Sequence, residues 1–251
     1  MTPPVTHLTI DIGNSAVKAL LFREGREVGP VLRFGHDEWP VLDRAVTNQR
    51  VDNIIYSTVA NVPPAQWLDE RYRAGTAVYA LAELPLGFPS AYTTPATLGQ
   101  DRRAAVAAAR ALAPGRLRLV ADAGSCLTLD VIAPDGTYLG GNISPGRAMR
   151  LRAMHEFTGR LPPVEAGEVS GAVGTSTVSA LRHGGQLGLV YEIEGLSARL
   201  ATDHGQRPEL FLTGGDAVAL GHDLALPHVI YPNLVLRGLY QTLITHAESL
   251  R

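Results

Sequence analysis

The chain has 251 residues, 45% of them hydrophobic and 18% charged, enough to bury a substantial core in one large domain or in two of roughly 125 residues each. Lys and Arg number 22 against 24 Asp and Glu, which leaves no basic footprint for a nucleic-acid backbone. A single cysteine, Cys126, excludes an internal disulfide and a cysteine-rich zinc site, and the eight histidines contain no His-x-His or His-x-x-x-His pair. The opening MTPPVTHLTI has neither a basic leader nor a long apolar segment, and no stretch reaches the roughly 18 apolar residues of a spanning helix. A soluble, cytoplasmic protein is expected, with neither membrane nor nucleic acid as partner.

In chain order, LTIDI and VKALLF read as strands around a glycine turn, and VDNIIYSTVA as a further strand. A helix is predicted from near Asp101 to the stop at Pro114 and Gly115, about three turns of strong helix formers with Arg102, Arg103 and Arg110 able to face water. LRLVADAG and TLDVIA follow as strands, and Pro134, Asp135 and Gly136 turn the second into a hairpin. ELFLTGG and HVIYPN close the set. Strands alternating with Ala- and Leu-rich helical stretches define a mixed α/β protein.

Residues 8–15, LTIDIGNS, are echoed by residues 119–126, LVADAGSC. Each is an apolar strand, an Asp, a small or apolar residue, a Gly and a hydrogen-bonding side chain, and each leads into a second strand with its own glycine turn. The echo predicts two similar lobes, residues 1–115 and 116–251. A glycine after a buried strand lets backbone amides approach phosphate oxygens, and the flanking Asp can hold a hydrated magnesium ion. The P-loop pattern fails, because no glycine directly precedes Lys18 and no Ser or Thr follows it; the dinucleotide fingerprint fails as well. LTGGDA, Leu212 to Ala217, is a third glycine site after an apolar run. Each alone is a tight turn; together they predict a nucleotide in a cleft between two lobes.

Taken alone, Asp101 is first a helix cap, accepting free amides and complementing the dipole. The functional alternative has it accept a proton from a substrate hydroxyl while Arg102 pairs with a substrate anion. Tyr92, in PSAYTTP, is either a packed loop anchor or a ligand contact. Thr177 is equally a substrate donor or a cap for the helix that follows it, and Cys126 is expected to be a small buried residue.

The pattern resembles the type III pantothenate kinases, members of the acetate and sugar kinase, Hsp70 and actin superfamily. DIGNSAVK at 11–18, YSTVANV at 56–62, TPATLGQDRRAAVAAA at 94–109 and VADAGSCLTLDVI at 120–132 carry the likeness. It continues in YLGGNISPG at 138–146, GTSTVSALRHG at 174–184, LTGGDA at 212–217 and PNLVLRGL at 232–239. The resemblance implies two ribonuclease H-like, actin-like ATPase lobes, each a mixed sheet flanked by helices. It also implies transfer of the ATP γ-phosphate to pantothenate, giving 4'-phosphopantothenate in the first step of coenzyme A synthesis.

By resemblance, Asp11, Ile12, Gly13, Asn14, Ser15, Ala16, Val17 and Lys18 form the first ATP phosphate segment, and Ser125 contacts ATP from the second. Asp122 is implied as a ligand of a monovalent cation, potassium or ammonium, beside the Mg2+ that accompanies ATP. Tyr92, Gly99, Gln100, Asp101, Arg102 and Thr177 match pantothenate contacts, with Asp101 the proton acceptor. A homodimer is implied in the same way. The family's usual DAGTA is here Asp122-Ala-Gly-Ser-Cys126, so Ser125 keeps the hydroxyl but loses the methyl that restricts its rotamer. The competing expectations are a kinase for another small hydroxylated substrate and a nucleotide-binding transcriptional accessory protein.

Overall fold

The computed structural model describes residues 4–60 and 66–249. Asn61 and Val62, the end of the YSTVANV block, lie outside the described residues. Two compact units are present: Met1–Leu112 together with Asn233–Arg251, and Ala113–Pro232.

In the first unit, β1 (Thr6–Ile12), β2 (Val17–Arg23) and β3 (Arg26–Phe34) form an antiparallel meander. β4 (Asn53–Thr58) then pairs in parallel with β1, and β5 (Ala77–Ala80) in parallel with β4, for a sheet order β3-β2-β1-β4-β5. Helices α1 (Pro40–Val46) and α2 (Gln66–Arg73) lie between strands, and α3 (Gln100–Leu112) follows them. Every residue of the central β1 is buried. Its alternation puts Leu8, Ile10 and Ile12 into a cluster with Leu42 and Val46 of α1 and Trp67 and Leu68 of α2. The intervening His7, Thr9 and Asp11 belong to the opposite face of the strand.

The second unit repeats this order. β6 (Arg118–Ala123), β7 (Cys126–Ile132) and β8 (Tyr138–Pro145) form the meander, and β9 (Glu209–Thr213) and β10 (His228–Ile230) add in parallel, giving β10-β9-β6-β7-β8. Helices α4 (Arg147–Glu156) and α5 (Thr177–His204) lie between β8 and β9, and α6 (Ala217–Asp223) between β9 and β10. Leu119, Ala121 and Ala123 of β6 pack with Leu189, Val190 and Ile193 of α5 and with Ala217 and Leu220 of α6. Both units therefore have the ribonuclease H-like arrangement of a mixed five-stranded sheet flanked by helices.

The predicted hairpin at Pro134–Gly136 is present: the Thr137 amide donates to Asp135 Oδ1 at 2.9 Å, and Gly136 takes φ +89°. The predicted helix occupies Gln100–Leu112.

The last helix, α7 (Leu234–Ser249), corrects the sequence-based division, which placed everything after residue 115 in the second lobe. It belongs to the first unit. Gly238 brings its backbone against α3, where a methyl group would overlap the Ala104 carbonyl and lie 3.0 Å from its Cα. Tyr240 stacks on Phe22 at 4.5 Å and its hydroxyl accepts the Gly25 amide at 3.0 Å, while Arg237 donates to Glu27 at 2.8 Å.

A second correction concerns α3. Arg102 and Arg103 do not face water but are 4% and 7% exposed. The helix is sheltered on both flanks, by α7 and by the 81–92 segment, whose carbonyls and rings receive the guanidinium groups.

Candidate active site

Asp11 and Ile12 end β1, Gly13 to Ala16 make the turn, and Val17 and Lys18 open β2. The Gly13 amide closes the turn on the Ala16 carbonyl at 3.1 Å, and Asn14 and Ser15 are exposed. Asp11 is paired with Lys18 across the hairpin and with Ser57 on β4, so the three side chains share one face. The Ser57 hydroxyl donates to Asp11 Oδ1 at 3.0 Å. Burial pushes the Asp11 carboxyl above its ordinary range; the Ser57 hydrogen bond and the Lys18 charge oppose that rise, and the Asp101 carboxylate adds to it. The turn is also held from outside, because His36 Nε2 lies 2.7 Å from the Gly13 carbonyl oxygen.

Asp101 stands in the first turn of α3, where its Oδ1 accepts the Arg102 amide at 2.8 Å. Gly99 leaves room for this carboxylate, since a methyl there would lie 2.6 Å from Asp101 Oδ1. Gln100 Oε1 accepts the Thr58 amide at 3.2 Å and so ties the helix start to the end of β4, next to Ser57. Local sequence thus makes the helix start, and β4 carries it to Asp11. Arg102 lies 5.9 Å from the Tyr92 ring, Arg103 donates to the carbonyls of Leu81, at 2.7 Å, and Pro85, and Arg110 stands 5.3 Å from the Phe88 ring. Three arginines of one helix face therefore hold the 81–92 segment that presents Tyr92. Burial lowers both Arg103 and Arg110 from the usual guanidinium range.

In the second unit, Asp122 is half-buried near the end of β6, opposite Thr128 and Thr213, and Ser125 is exposed in the turn. Here the Gly124 amide donates to the Cys126 carbonyl at 2.9 Å. Cys126 opens β7 half-buried rather than buried, because it is the strand's first residue, beside the turn. YLGGNISPG and LTGGDA, separate in sequence, both pack on this turn. The Gly146 amide donates to Ser125 O at 3.1 Å, and a methyl at Gly146 would overlap the Gly124 carbonyl and lie 2.7 Å from that of Ser125. Gly214, at φ +95°, would place a methyl 2.6 Å from Asp122 Oδ1, and the Asp216 amide donates to Ala123 O at 2.9 Å. Arg147 joins the two approaches by donating to Asp216 Oδ1 and, at 3.0 Å, to Gln186 Oε1.

Thr177 is exposed as the first residue of α5, but it is not the cap. Ser176 holds that position, with its hydroxyl accepting the Ser179 amide at 3.2 Å in a capping box. Among the described residues no cluster of three or more His, Cys, Asp or Glu side chains gathers for a metal, and no helix is long and apolar enough to cross a membrane.

Asp11, Ser57, Gly99, Gln100, Asp101, Arg102 and Tyr92 are thus brought together in the first unit, and Asp122, Ser125 and LTGGDA in the second. Sequence reasoning missed Ser57, His36, Gly146 and the inward turn of Arg103. None of these lies in a phosphate-type pattern; Ser57, His36 and Gly146 act from a strand or loop distant in sequence from what they touch, and Arg103 from α3 on the 81–92 segment.

Residues 7–199 match the family model of type III pantothenate kinase. The chain belongs to the type III pantothenate kinase family. It is 38% identical to a type III pantothenate kinase of Bacteroides fragilis and 39% to one of Phocaeicola vulgatus, in each case over 94% of this chain and 97% of the relative. Among solved structures, a Baf family transcriptional activator from Campylobacter jejuni superposes with a TM-score of 0.62 at 23% identity, covering 96% of this chain and 99% of its own. The activator of 2-hydroxyisocaproyl-CoA dehydratase from Clostridium difficile, solved with bound ADPNP, gives 0.58 at 12% identity over 98% and 97%. At those identities the two structures show the shared actin-like ATPase fold of this type III pantothenate kinase family member and nothing about its substrates.

Proposed function

We propose that this chain is an ATP-dependent pantothenate kinase, transferring the γ-phosphate of ATP to the primary hydroxyl of pantothenate. The observation that carries the reading is the placing of Asp11, beside a phosphate-type glycine turn, with Asp101 at the head of α3, whose carboxylate adds to the rise of the Asp11 carboxyl and whose helix start is tied by Gln100 to the β4 end next to Ser57. Membership of a family of that name and activity supplies the substrates. The transcriptional accessory role is not favoured: the Campylobacter jejuni neighbour so described shares the fold alone.

In this reading the Asn14 amide and the Lys18 ammonium hold phosphate oxygens, the Gly13 amide being taken by the Ala16 carbonyl, and Ser125 is a further ATP contact. Asp101 accepts the hydroxyl proton as the phosphoryl group leaves ATP. Phosphoryl transfer rests mainly on positioning and charge, so an ordinary carboxylate suffices as a late acceptor. Arg102 pairs with the pantothenate carboxylate, Tyr92 packs beside it, and Gly99, Gln100 and Thr177 complete the substrate contacts.

The donors at Asp11 are oxygens only, which fits a hydrated divalent ion; when bound with ATP, that ion neutralises charge developing on the phosphates. Asp122, paired across the sheet with Thr128 and Thr213, likewise offers oxygen donors suited to a monovalent cation such as potassium or ammonium. Family membership, as the resemblance implied, supports a homodimer. Family membership likewise supports a cytoplasmic enzyme drawing on soluble substrates.

A coupled ADP-release assay across pantothenate, pantetheine and simple sugars tests the reading. Turnover with pantothenate is expected; turnover confined to a sugar, or none with any acceptor, overturns it.

A further inference from the structure

We infer that His36 is a positioning residue for the nucleotide: it fixes the plane of the Gly13–Asn14 peptide and thereby aims the Asn14 N–H at a phosphate oxygen. The inference deepens the proposed ATP site and rests on the first turn being a phosphate turn.

The Gly13 carbonyl can only accept, so the 2.7 Å contact requires His36 Nε2 to carry the hydrogen. Both the imidazolium and the Nε2–H neutral tautomer meet that requirement. The described peptide bonds are trans, and in a trans peptide the C=O and the following N–H point to opposite sides of one rigid plane. Pulling the Gly13 oxygen toward His36 therefore turns the Asn14 N–H away from it, at an exposed residue on the rim of the turn. A glycine at position 13 makes such control necessary, because the backbone there has no Cβ to narrow its choice of orientation.

The loop that carries His36 is itself braced. Glu38 Oε2 accepts the Gly35 amide at 2.6 Å, the Glu38 amide returns to Gly35 O at 3.1 Å, and Trp39 Nε1 donates to His36 O at 2.9 Å. The Trp39 ring packs against Phe34 and Trp67, with centroids 5.7 and 5.8 Å away. A histidine needed only for solubility would not be anchored through its own carbonyl to an aromatic cluster. This brace holds the imidazole where one hydrogen bond can set one peptide plane.

The test compares wild type with His36→Ala, His36→Asn and His36→Gln. The glutamine amide nitrogen stands near the place of Nε2 and can donate; the asparagine is too short. Binding of a non-hydrolysable ATP analogue is measured by calorimetry, and KM for ATP and for pantothenate by the coupled assay. Loss of one hydrogen bond that orients a donor corresponds to about a fivefold change. His36→Ala and His36→Asn are expected to weaken the analogue and raise KM for ATP by about that factor with KM for pantothenate unchanged, and His36→Gln to recover most of the loss. Analogue binding within twofold of wild type in the alanine and asparagine variants, or equal losses for both substrates without rescue by glutamine, overturns the inference. Should the alanine variant fail to fold, the asparagine and glutamine pair makes the same comparison. Wild type that binds no analogue overturns the phosphate-turn reading itself, an outcome separate from the other two.

Discussion

The turn after β1 and the turn after β6 open with the same order of Asp, small or apolar residue and Gly, yet their surroundings differ. At the first, side chains do the holding: Ser57 on the Asp11 carboxylate and His36 on the Gly13 carbonyl, at 3.0 and 2.7 Å. At the second, bare backbone does it, with Gly146 and Gly214 pressed against the carbonyls of Gly124, Ser125 and Ala123 at distances no side chain would permit. The first turn spans Gly13 to Ala16 and closes on the Ala16 carbonyl, whereas the second closes on Cys126, two residues beyond its glycine. A duplicated hairpin thus keeps its topology while its supports diverge. Side-chain supports tolerate small shifts of the backbone; packed glycines do not, because close-packed backbone has nowhere to move.

The largest expected effect falls on the chemistry that accompanies the first turn. Asp101→Asn is expected to lower kcat by about 10²- to 10⁴-fold, the usual worth of a positioned proton acceptor, while ATP-analogue affinity and melting temperature stay near wild type. Near-normal steady-state turnover would return Asp101 to a capping role. Next, Gly146→Ala drives a methyl into the Gly124 carbonyl of the second turn and is expected to destabilise the protein by about 1–3 kcal/mol, read as a fall in the urea midpoint at constant slope. Gly13→Ala makes the matching change in the first turn, where the nearest atom is the Ala16 carbonyl oxygen at 3.3 Å. Its cost is expected to be below about 1 kcal/mol, and equal costs at the two glycines would erase the contrast between the turns.

The smallest effect is one of sign. Because burial raises the folded-state carboxyl of Asp11, its protonated form is the one the fold favours, and the stability so gained is present in acid and lost as pH rises through that raised value. Asp11→Asn is therefore expected to raise the melting temperature at pH 7 while turnover falls. The gap should close as pH drops toward about 4, the ordinary aspartate range. A variant less stable than wild type at pH 7 would show that the Ser57 and Lys18 contacts outweigh desolvation.

Much of the fold was legible because its signals are local. LTIDI, LRLVADAG and ELFLTGG are apolar enough to be central strands wherever they fall, and Pro134-Asp135-Gly136 can do little but turn. The α3 boundaries followed from helix formers ending at Pro114. The arginines of that helix were misjudged, because a guanidinium within a helical pattern carries no mark of whether carbonyls will meet it; Leu81 and Pro85 supply theirs from well upstream. For α5 only a start near Thr177 was legible: its Gly184, Gly185, Gly188 and Gly195 argue against a helix locally. Gly185 and Gly188 admit α4, with Leu151 and Arg150 lying 3.1 Å from where their methyls would stand, whereas methyls at Gly184 and Gly195 would meet nothing within 4 Å.

The candidate site divides along the same line. Asp11, Gly13, Asp101, Asp122 and LTGGDA were legible because an acid or glycine at a strand end or helix start carries its chemistry in a short spacing. By itself the sequence determined the duplicated strand–turn–strand units, the family, and the residue types able to touch phosphate and accept a proton. Only the tertiary structure decided that α7 covers α3, that Arg103 turns inward, that Gly146 and Gly214 wall one turn, and that His36 braces the other. Those choices depend on which distant surfaces meet at van der Waals distance, and neither periodicity nor propensity along a chain encodes the partner across the gap.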